Sequence, residues 1–118
     1  MSETPRMIGY NRGEIVLVEF GFSEGHGSKK RPALIVSSPS YHVSREEVIV
    51  AAITSNVRRL FFGDTKLEQW KTAGLLFPSV VTGIIRTIKA DLITRTLGVL
   101  TKPDLQKVHR HLRSTLGF

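Results

Sequence analysis

Val48-Ile49-Val50-Ala51-Ala52-Ile53-Thr54-Ser55 decides how the rest of the chain is read. Six successive apolar residues, four of them β-branched, with no Gly or Pro among them, are far too few to span a membrane as a helix. They read instead as a strand buried on both faces. Such a strand lies in the middle of a sheet, and its neighbours are found by working outward. Upstream, Ala33-Leu34-Ile35-Val36-Ser37 is a second strand, starting after Pro32 and broken by Ser38-Pro39-Ser40. Before it, Glu14-Ile15-Val16-Leu17-Val18-Glu19-Phe20 is a third, bounded by Gly13 and Gly21. Residues 21–30 between those two hold three glycines and two serines and read as a loop. Downstream, Asn56 to Arg59 turns the chain. Leu60-Phe61-Phe62 and Thr65 to Leu67 read as short strand fragments around Gly63-Asp64. Ser79 to Thr82 and Ile84 to Ile88 are further strands, separated by a bulge or bend at Gly83, and Leu97 to Leu100 is the last.

After Leu100 the apolar period changes. Leu105, Val108, Leu112 and Leu116 recur at helical spacing, with Lys107, Arg110 and Arg113 turned outward. Thr101 is placed to cap, Pro103 is tolerated in a first turn, and Gly117 stands where helices end, so a helix is expected over about 102–115. Many short strands and one terminal helix predict a mainly β fold, a small and strongly bent sheet or barrel with the helix packed on it. Residues 1–12, with Pro5, Gly9 and no period, read as a flexible leader, and residues 13–118 as a single domain.

The chain has 118 residues, 17 Lys+Arg, 10 Asp+Glu and no cysteine, for a formal charge of +7. The absence of cysteine excludes disulfides, thiolate metal sites and a cysteine nucleophile. The first residues carry charge with no apolar stretch behind it, so neither a signal peptide nor a membrane segment is expected, and the cytoplasm is the default location. Residues 1–58 contribute +1 and residues 59–118 contribute +6. This asymmetry fits a polyanionic partner and fits equally a solubilising surface.

Few residues offer chemistry. His109 and His111, two apart on a helix, point to different faces, and no Asp/Glu cluster has ligand spacing, so no metal site is expected. There is no nucleophile elbow and no phosphate-binding glycine loop followed by Lys-Ser/Thr, and no cofactor is expected. What remains lies at strand ends. Lys29-Lys30-Arg31 closes the glycine loop, and Thr54-Ser55-Asn56 ends the apolar strand. If those two strands pair antiparallel, Arg31 and Thr54-Ser55 share one end of the sheet. A guanidinium grips two phosphate oxygens in a fork, and a hydroxyl adds a further hydrogen bond, which suits a phosphodiester. Taken singly, Arg31 is also explained as a solvated loop cation and Thr54 as an ordinary strand residue.

Gly13-Glu-Ile-Val-Leu-Val-Glu-Phe, Gly25-His26, Lys30-Arg31-Pro32-Ala33-Leu34-Ile35-Val36-Ser37 and Ala52-Ile53-Thr54-Ser55 resemble, in order and spacing, the MazF/PemK toxins of type II toxin–antitoxin systems. Gly63-Asp64, Trp70, Ala73-Gly74-Leu75-Leu76, Pro78-Ser79-Val80-Val81 and Leu97-Gly98-Val99-Leu100 extend the resemblance, which covers about residues 13–116. It implies a small SH3-like barrel of the MazF/PemK/CcdB type with an appended helix, working as a homodimer. It also implies a metal-independent endoribonuclease that cleaves single-stranded RNA and is held inactive by a cognate antitoxin. The family's catalytic arginine falls on Arg31 and its catalytic threonine on Thr54, with Ser55 adjacent. Lys29, Lys30, Asn56 and Arg86 are the candidate RNA contacts. Arginine is a poor general base, so the proton-removing group is sought elsewhere. His26 has a suitable ordinary pKa, and Glu24 is a weaker candidate.

The chain departs from that family's pattern in two places. Where members often carry Asp-Gln before Ile-Arg-Thr, this chain reads Thr82-Gly83-Ile84-Ile85-Arg86-Thr87, and Gly27 stands where an acid commonly follows Gly-His. Two other functions fit the same fold: a toxin that binds gyrase as CcdB does, and an inactive nucleic-acid-binding relative.

Overall fold

The computed structural model describes residues 9–21 and 28–118. The chain runs β1 (Glu14–Gly21), β2 (Ser28–Ile35), α1 (Pro39–Arg45), β3 (Glu47–Thr54), β4 (Thr65–Lys66), β5 (Val80–Lys89), a 3-10 turn (Ala90–Leu92), β6 (Ile93–Val99) and α2 (Lys102–Leu116). One antiparallel sheet has the order β4-β5-β3-β2-β1-β6, so the apolar run at 48–53 is central, as its composition requires.

Alternation along each strand divides the core into two layers. Ile15, Leu34, Ala51, Ile53 and Val81 face one side, where Leu67, Ala73, Leu75 and Val108 complete the layer and Leu105 and Leu112 of α2 pack on it. Val16, Val18, Ala33, Ile35, Val48, Val50, Ile88 and Ile93 face the other, with Tyr10 and Phe20 against them. A sheet buried on both faces must curl over itself. Register shifts between Ile15/Val16 and Leu17/Val18 against β6, and between Ala51 and Ile53 against β5, supply the bends.

The curl stops short of the expected barrel. Among the described residues β4 and β6 are the two edges and do not pair, so the sheet is open. The gap is spanned by coil. Residues 67–75 lie against β6, and a Cβ on Gly98 would sit 2.1 Å from the Ala73 carbonyl oxygen, so glycine is required for that approach. Asp104, buried in the first turn of α2, accepts from the Glu68 and Gln69 amides at 3.2 and 2.9 Å and ties this coil to the helix. Outside it, Lys107 pairs with Glu68 at 2.9 Å.

Several local expectations change. β1 and β2 reach Gly21 and Ser28, well into the stretch read as loop, because the cross-strand pairs Glu19–Lys30 and Phe20–Lys29 extend the hairpin despite its polar composition. Leu60-Phe61-Phe62 is no strand: the Phe61 amide and carbonyl both bond to Asp64, closing a turn. Val80–Lys89 is one strand rather than two, with Gly83 inside its bulge, and β6 begins four residues earlier than read. Ser38-Pro39-Ser40 does more than break a strand. Ser38 caps α1, accepting from the Tyr41 amide, and Pro39 occupies the first helical turn. α2 matches the expected helix, and Gly117 ends it at φ +82°, although the Thr101 side chain makes no capping bond. Among the described residues no helix is long and apolar enough to cross a membrane.

Candidate active site

The ladder between β2 and β3 pairs Ala33 with Ala52, Leu34 with Ala51 and Ile35 with Val50, then stops. Beyond Ala33, β2 stays paired with β1 alone, from Pro32 back to Ser28. Pro32 has no amide to give a ladder, and at this point β2 and β3 part. A groove of about 250 Å³ opens between them, lined by Phe20, Arg31, Pro32, Ala33, Val50, Ala52, Ile53, Ile84 and Arg86. Ala33, Val50 and Phe20 of its lining belong to the second apolar layer.

Continuing the β2–β3 register carries Pro32 opposite Ile53 and Arg31 opposite Thr54. Both side chains belong by alternation to the groove's face, Arg31 with Ala33 and Thr54 with Ala52. The antiparallel pairing on which the shared sheet end depends is present, and the ladder itself ends at Ala33 and Ala52. Arg31 is exposed and lines the groove, and Thr54 is half-buried at the end of β3, one residue past the groove-lining Ile53. Thr54 Oγ1 accepts from the Asn56 amide at 3.1 Å, which leaves the hydroxyl proton available to a ligand. Ser55 follows, exposed, in the bend after β3.

The candidate RNA contacts separate. Lys29 lies on the groove's face of β2 and Lys30 on the opposite face, both exposed. Asn56 turns its Oδ1 to the Arg58 amide at 3.2 Å, so that oxygen shapes the loop. Arg86 lines the groove, its guanidinium 5.3 Å from the centroid of the Phe20 ring. His26 and Glu24 lie outside the described residues.

Sequence reasoning missed Phe20, Ala52 and Ile84. The period of two along 16, 18 and 20 was the available signal for Phe20. Nothing in the sequence places Ile84, because its position depends on the β5 bulge. There the Thr82 hydroxyl donates to the Ala52 carbonyl at 2.8 Å and accepts from the Ile84 amide at 3.1 Å, and the Gly83 amide donates to Asp64 Oδ1 at 3.0 Å. Side chains thus satisfy groups that the interrupted ladder leaves.

The other histidines serve elsewhere. His42 is fully buried, with Nε2 2.5 Å from Ser37 Oγ and Nδ1 3.1 Å from the Tyr10 carbonyl, and burial lowers its pKa despite that carbonyl. His109 is lowered by burial and by Arg12. His111 Nδ1 meets Thr65 Oγ1 on β4, so the two helix histidines do face different ways. Among the described residues no three His, Asp or Glu side chains converge on a point that could hold a metal.

The model of the PemK-like, MazF-like toxin of type II toxin–antitoxin systems matches residues 11–116. Endoribonuclease MazF6 of Mycobacterium tuberculosis is 32% identical over 112 residues, which cover 92% of this chain and 97% of that protein. Endoribonuclease MazF2 of Mycobacterium bovis gives the same figures. Among solved structures, a MazE–MazF crystal structure from Deinococcus radiodurans has TM-score 0.76 at 23% identity, covering 92% of this chain and 96% of that one. An endoribonuclease in complex with its cognate antitoxin from a mycobacterial species has TM-score 0.75 at 22% identity, covering 93% and 97%. At such identities the structures establish a shared fold.

Proposed function

The chain belongs to the PemK-like, MazF-like toxin family of type II toxin–antitoxin systems, and on that premise we propose that it is an endoribonuclease toxin cleaving single-stranded RNA under the control of a cognate antitoxin. What supports the reading is Arg31 on the wall of the groove where β2 and β3 part, with Thr54 one residue past the groove-lining Ile53 and, by alternation, on the same face.

The chemistry follows from those groups. The ribose 2′-OH attacks the adjacent phosphate, the bond to the 5′ oxygen breaks, and 2′,3′-cyclic phosphate and 5′-hydroxyl ends result. Such a reaction needs alignment and stabilisation of the added negative charge. Arg31 grips the non-bridging oxygens as that charge grows, with Arg86 as a second cation on the groove. The Thr54 hydroxyl, held by the Asn56 amide, donates to the phosphate or to the departing oxygen. Ser55 lies beside it, and Lys29 extends the positive face along β2. His26 is the proposed general base. A guanidinium and hydroxyls perform this chemistry without a metal. The supporting relatives are named endoribonucleases, which favours this reading over gyrase binding.

The same groove accounts for control. Its apolar floor and cationic rim suit an acidic, disordered antitoxin tail as well as RNA, so the two compete and salt weakens both. We place the active form in the cytoplasm, as a homodimer.

The test is cleavage of single-stranded RNA by purified protein in EDTA, with the 5′ ends of the products sequenced, compared with Arg31→Ala and Thr54→Ala. Each variant should lower kcat about 10²- to 10³-fold, as removal of one transition-state donor does. Full cleavage by Arg31→Ala would remove the site, and absence of RNA fragments from the intact protein would remove the function.

A further inference from the structure

Immediately after Thr54 the chain reads Ser55-Asn56-Val57-Arg58-Arg59-Leu60-Phe61-Phe62, and its end is unusual for a surface loop. Phe61 is 62% exposed and Phe62 79%, while Arg58 and Arg59 before them are exposed as well. The Arg59 guanidinium lies 4.8 Å from the centroid of the Phe61 ring.

The loop is built, not loose. Thr54 Oγ1 holds the Asn56 amide, Asn56 Oδ1 holds the Arg58 amide, and Asp64 Oδ2 holds the Phe61 amide at 2.9 Å. The other Asp64 oxygen takes the Gly83 amide from the β5 bulge. Gly63 sits at φ +91° against α2, where a Cβ would lie 2.3 Å from Thr115 Oγ1. Four hydrogen bonds and one close approach thus fix the loop's backbone, so less of the chain has to be ordered when a ligand binds. The bulge also joins the loop to the groove. A Cβ on Gly83 would lie 3.3 Å from the Phe62 carbonyl oxygen, and the next residue, Ile84, is 61% exposed and lines the groove.

From these features we propose that residues 58–62 form a stacking platform for single-stranded RNA, receiving nucleotides that neighbour the cleaved bond. Phe61 and Phe62 offer ring faces to bases, and Arg58 and Arg59 neutralise the phosphates between them. The proposal rests on the endoribonuclease reading. Paired cations followed by exposed rings match a single strand, whose bases stack on aromatics regardless of sequence while its backbone seeks positive charge. Arg58 is four residues past Thr54, within about 14 Å of it by chain reach alone, so one strand contacts both.

The experiment measures fluorescence-anisotropy binding of a labelled, mixed-sequence pool of short RNA with 2′-O-methyl riboses, which lacks the attacking hydroxyl. Cleavage of ordinary RNA by the same preparations is measured alongside. Phe61→Ala and Phe62→Ala should each bind roughly tenfold more weakly, with KM raised more than kcat is lowered. Phe62→Leu, which keeps apolar bulk but loses the ring face, should bind nearly as weakly. Arg58→Ala and Arg59→Ala should also weaken binding and reduce the slope of log affinity against log salt by about 0.7 each, whereas the phenylalanine variants leave that slope unchanged. Leu76→Ala, another exposed apolar residue outside the loop, is the matched control.

Unchanged affinity in the phenylalanine variants of a protein that still cleaves would overturn the platform and leave the cleavage reading standing. If the intact protein neither binds nor cuts RNA, both fall. Unchanged RNA affinity with altered sedimentation would assign the rings to contact with a second copy of the chain, again overturning the platform.

Discussion

Replacing Ser37 by alanine isolates one buried network. Ser37 Oγ accepts from the Ile49 amide at 2.9 Å and lies 2.5 Å from His42 Nε2, while His42 Nδ1 faces the Tyr10 carbonyl. A carbonyl can only accept, so Nδ1 carries the proton and Nε2 receives the serine O–H. With His42 neutral the serine O–H goes to Nε2 at 2.5 Å in preference to the Ile49 carbonyl at 3.5 Å. Ser37→Ala leaves a buried amide and a buried ring nitrogen unpaired, each costing about 1–3 kcal/mol, for a combined loss of roughly 2–6 kcal/mol. For 118 residues the unfolding entropy is about 0.25 kcal/mol/K, so Tm should fall by about 8–24 °C. Thermal unfolding followed by circular dichroism at pH 8 measures this, and a loss under 0.5 kcal/mol would refute the network. The pH dependence gives a second check. Burial lowers the His42 pKa below its ordinary 6.5, so above that value both states are neutral and stability is full. As pH falls below 6.5 the unfolded chain takes up the proton first, and stability declines by at most about 1.4 kcal/mol per unit for each such histidine. His109 is shifted the same way, so a His109→Gln background separates the two. A stability that stays flat from pH 8 to 5 in that background would refute a neutral, buried His42.

Two further substitutions probe the coil that spans the open edge of the sheet. Gly98→Ala places a methyl 2.1 Å from the Ala73 carbonyl oxygen and should cost about 3 kcal/mol or more in urea unfolding, as overpacking against backbone does. Asp104→Ala removes the acceptor of the Glu68 and Gln69 amides; it should cost about 2–4 kcal/mol and speed amide hydrogen exchange at 68–69 before the β3 amides respond.

The sequence carried the strand-rich architecture because β3, β1 and α2 announce themselves by local pattern: an apolar run, a glycine-bounded β-branched run, and a 3.6-residue period ending at Gly117. It carried the antiparallel pairing of β2 with β3, on which the proposed relation of Arg31 to Thr54 depends. It did not carry the groove. Phe20 reaches it from β1 and Ile84 and Arg86 from β5, and their convergence depends on the curl of a sheet buried on both faces. Nor did it reveal how the edge is managed, since 67–75 spans the gap as irregular chain with no periodic signature. α1 was legible in principle, from Ser38 followed by Pro39, yet seven residues leave too short a window for a period to show.

The bulge on β5 connects these points and gives the departure at Thr82-Gly83 a physical meaning. On one side of it Ala51 pairs with Ile85, and on the other Ile53 pairs with Val81, so Ala52 alone faces the three residues 82–84. The surplus residues have to leave the ladder, and each finds another partner: Thr82 on Ala52, Gly83 on Asp64, Ile84 on Thr82. A two-residue surplus preserves alternation, which keeps Arg86 on the same face as Thr54 while bending β5 toward the Phe61–Phe62 turn. A one-residue surplus would have sent the Arg86 side chain to the opposite layer, among Ile53 and Leu67. Deleting Gly83 is therefore a sharper perturbation than removing any single charge. It moves Thr82 and Arg86 relative to each other and detaches Asp64 from the bulge, so it should impair groove and platform together while leaving the β2–β3 pairing that positions Arg31 and Thr54 in place.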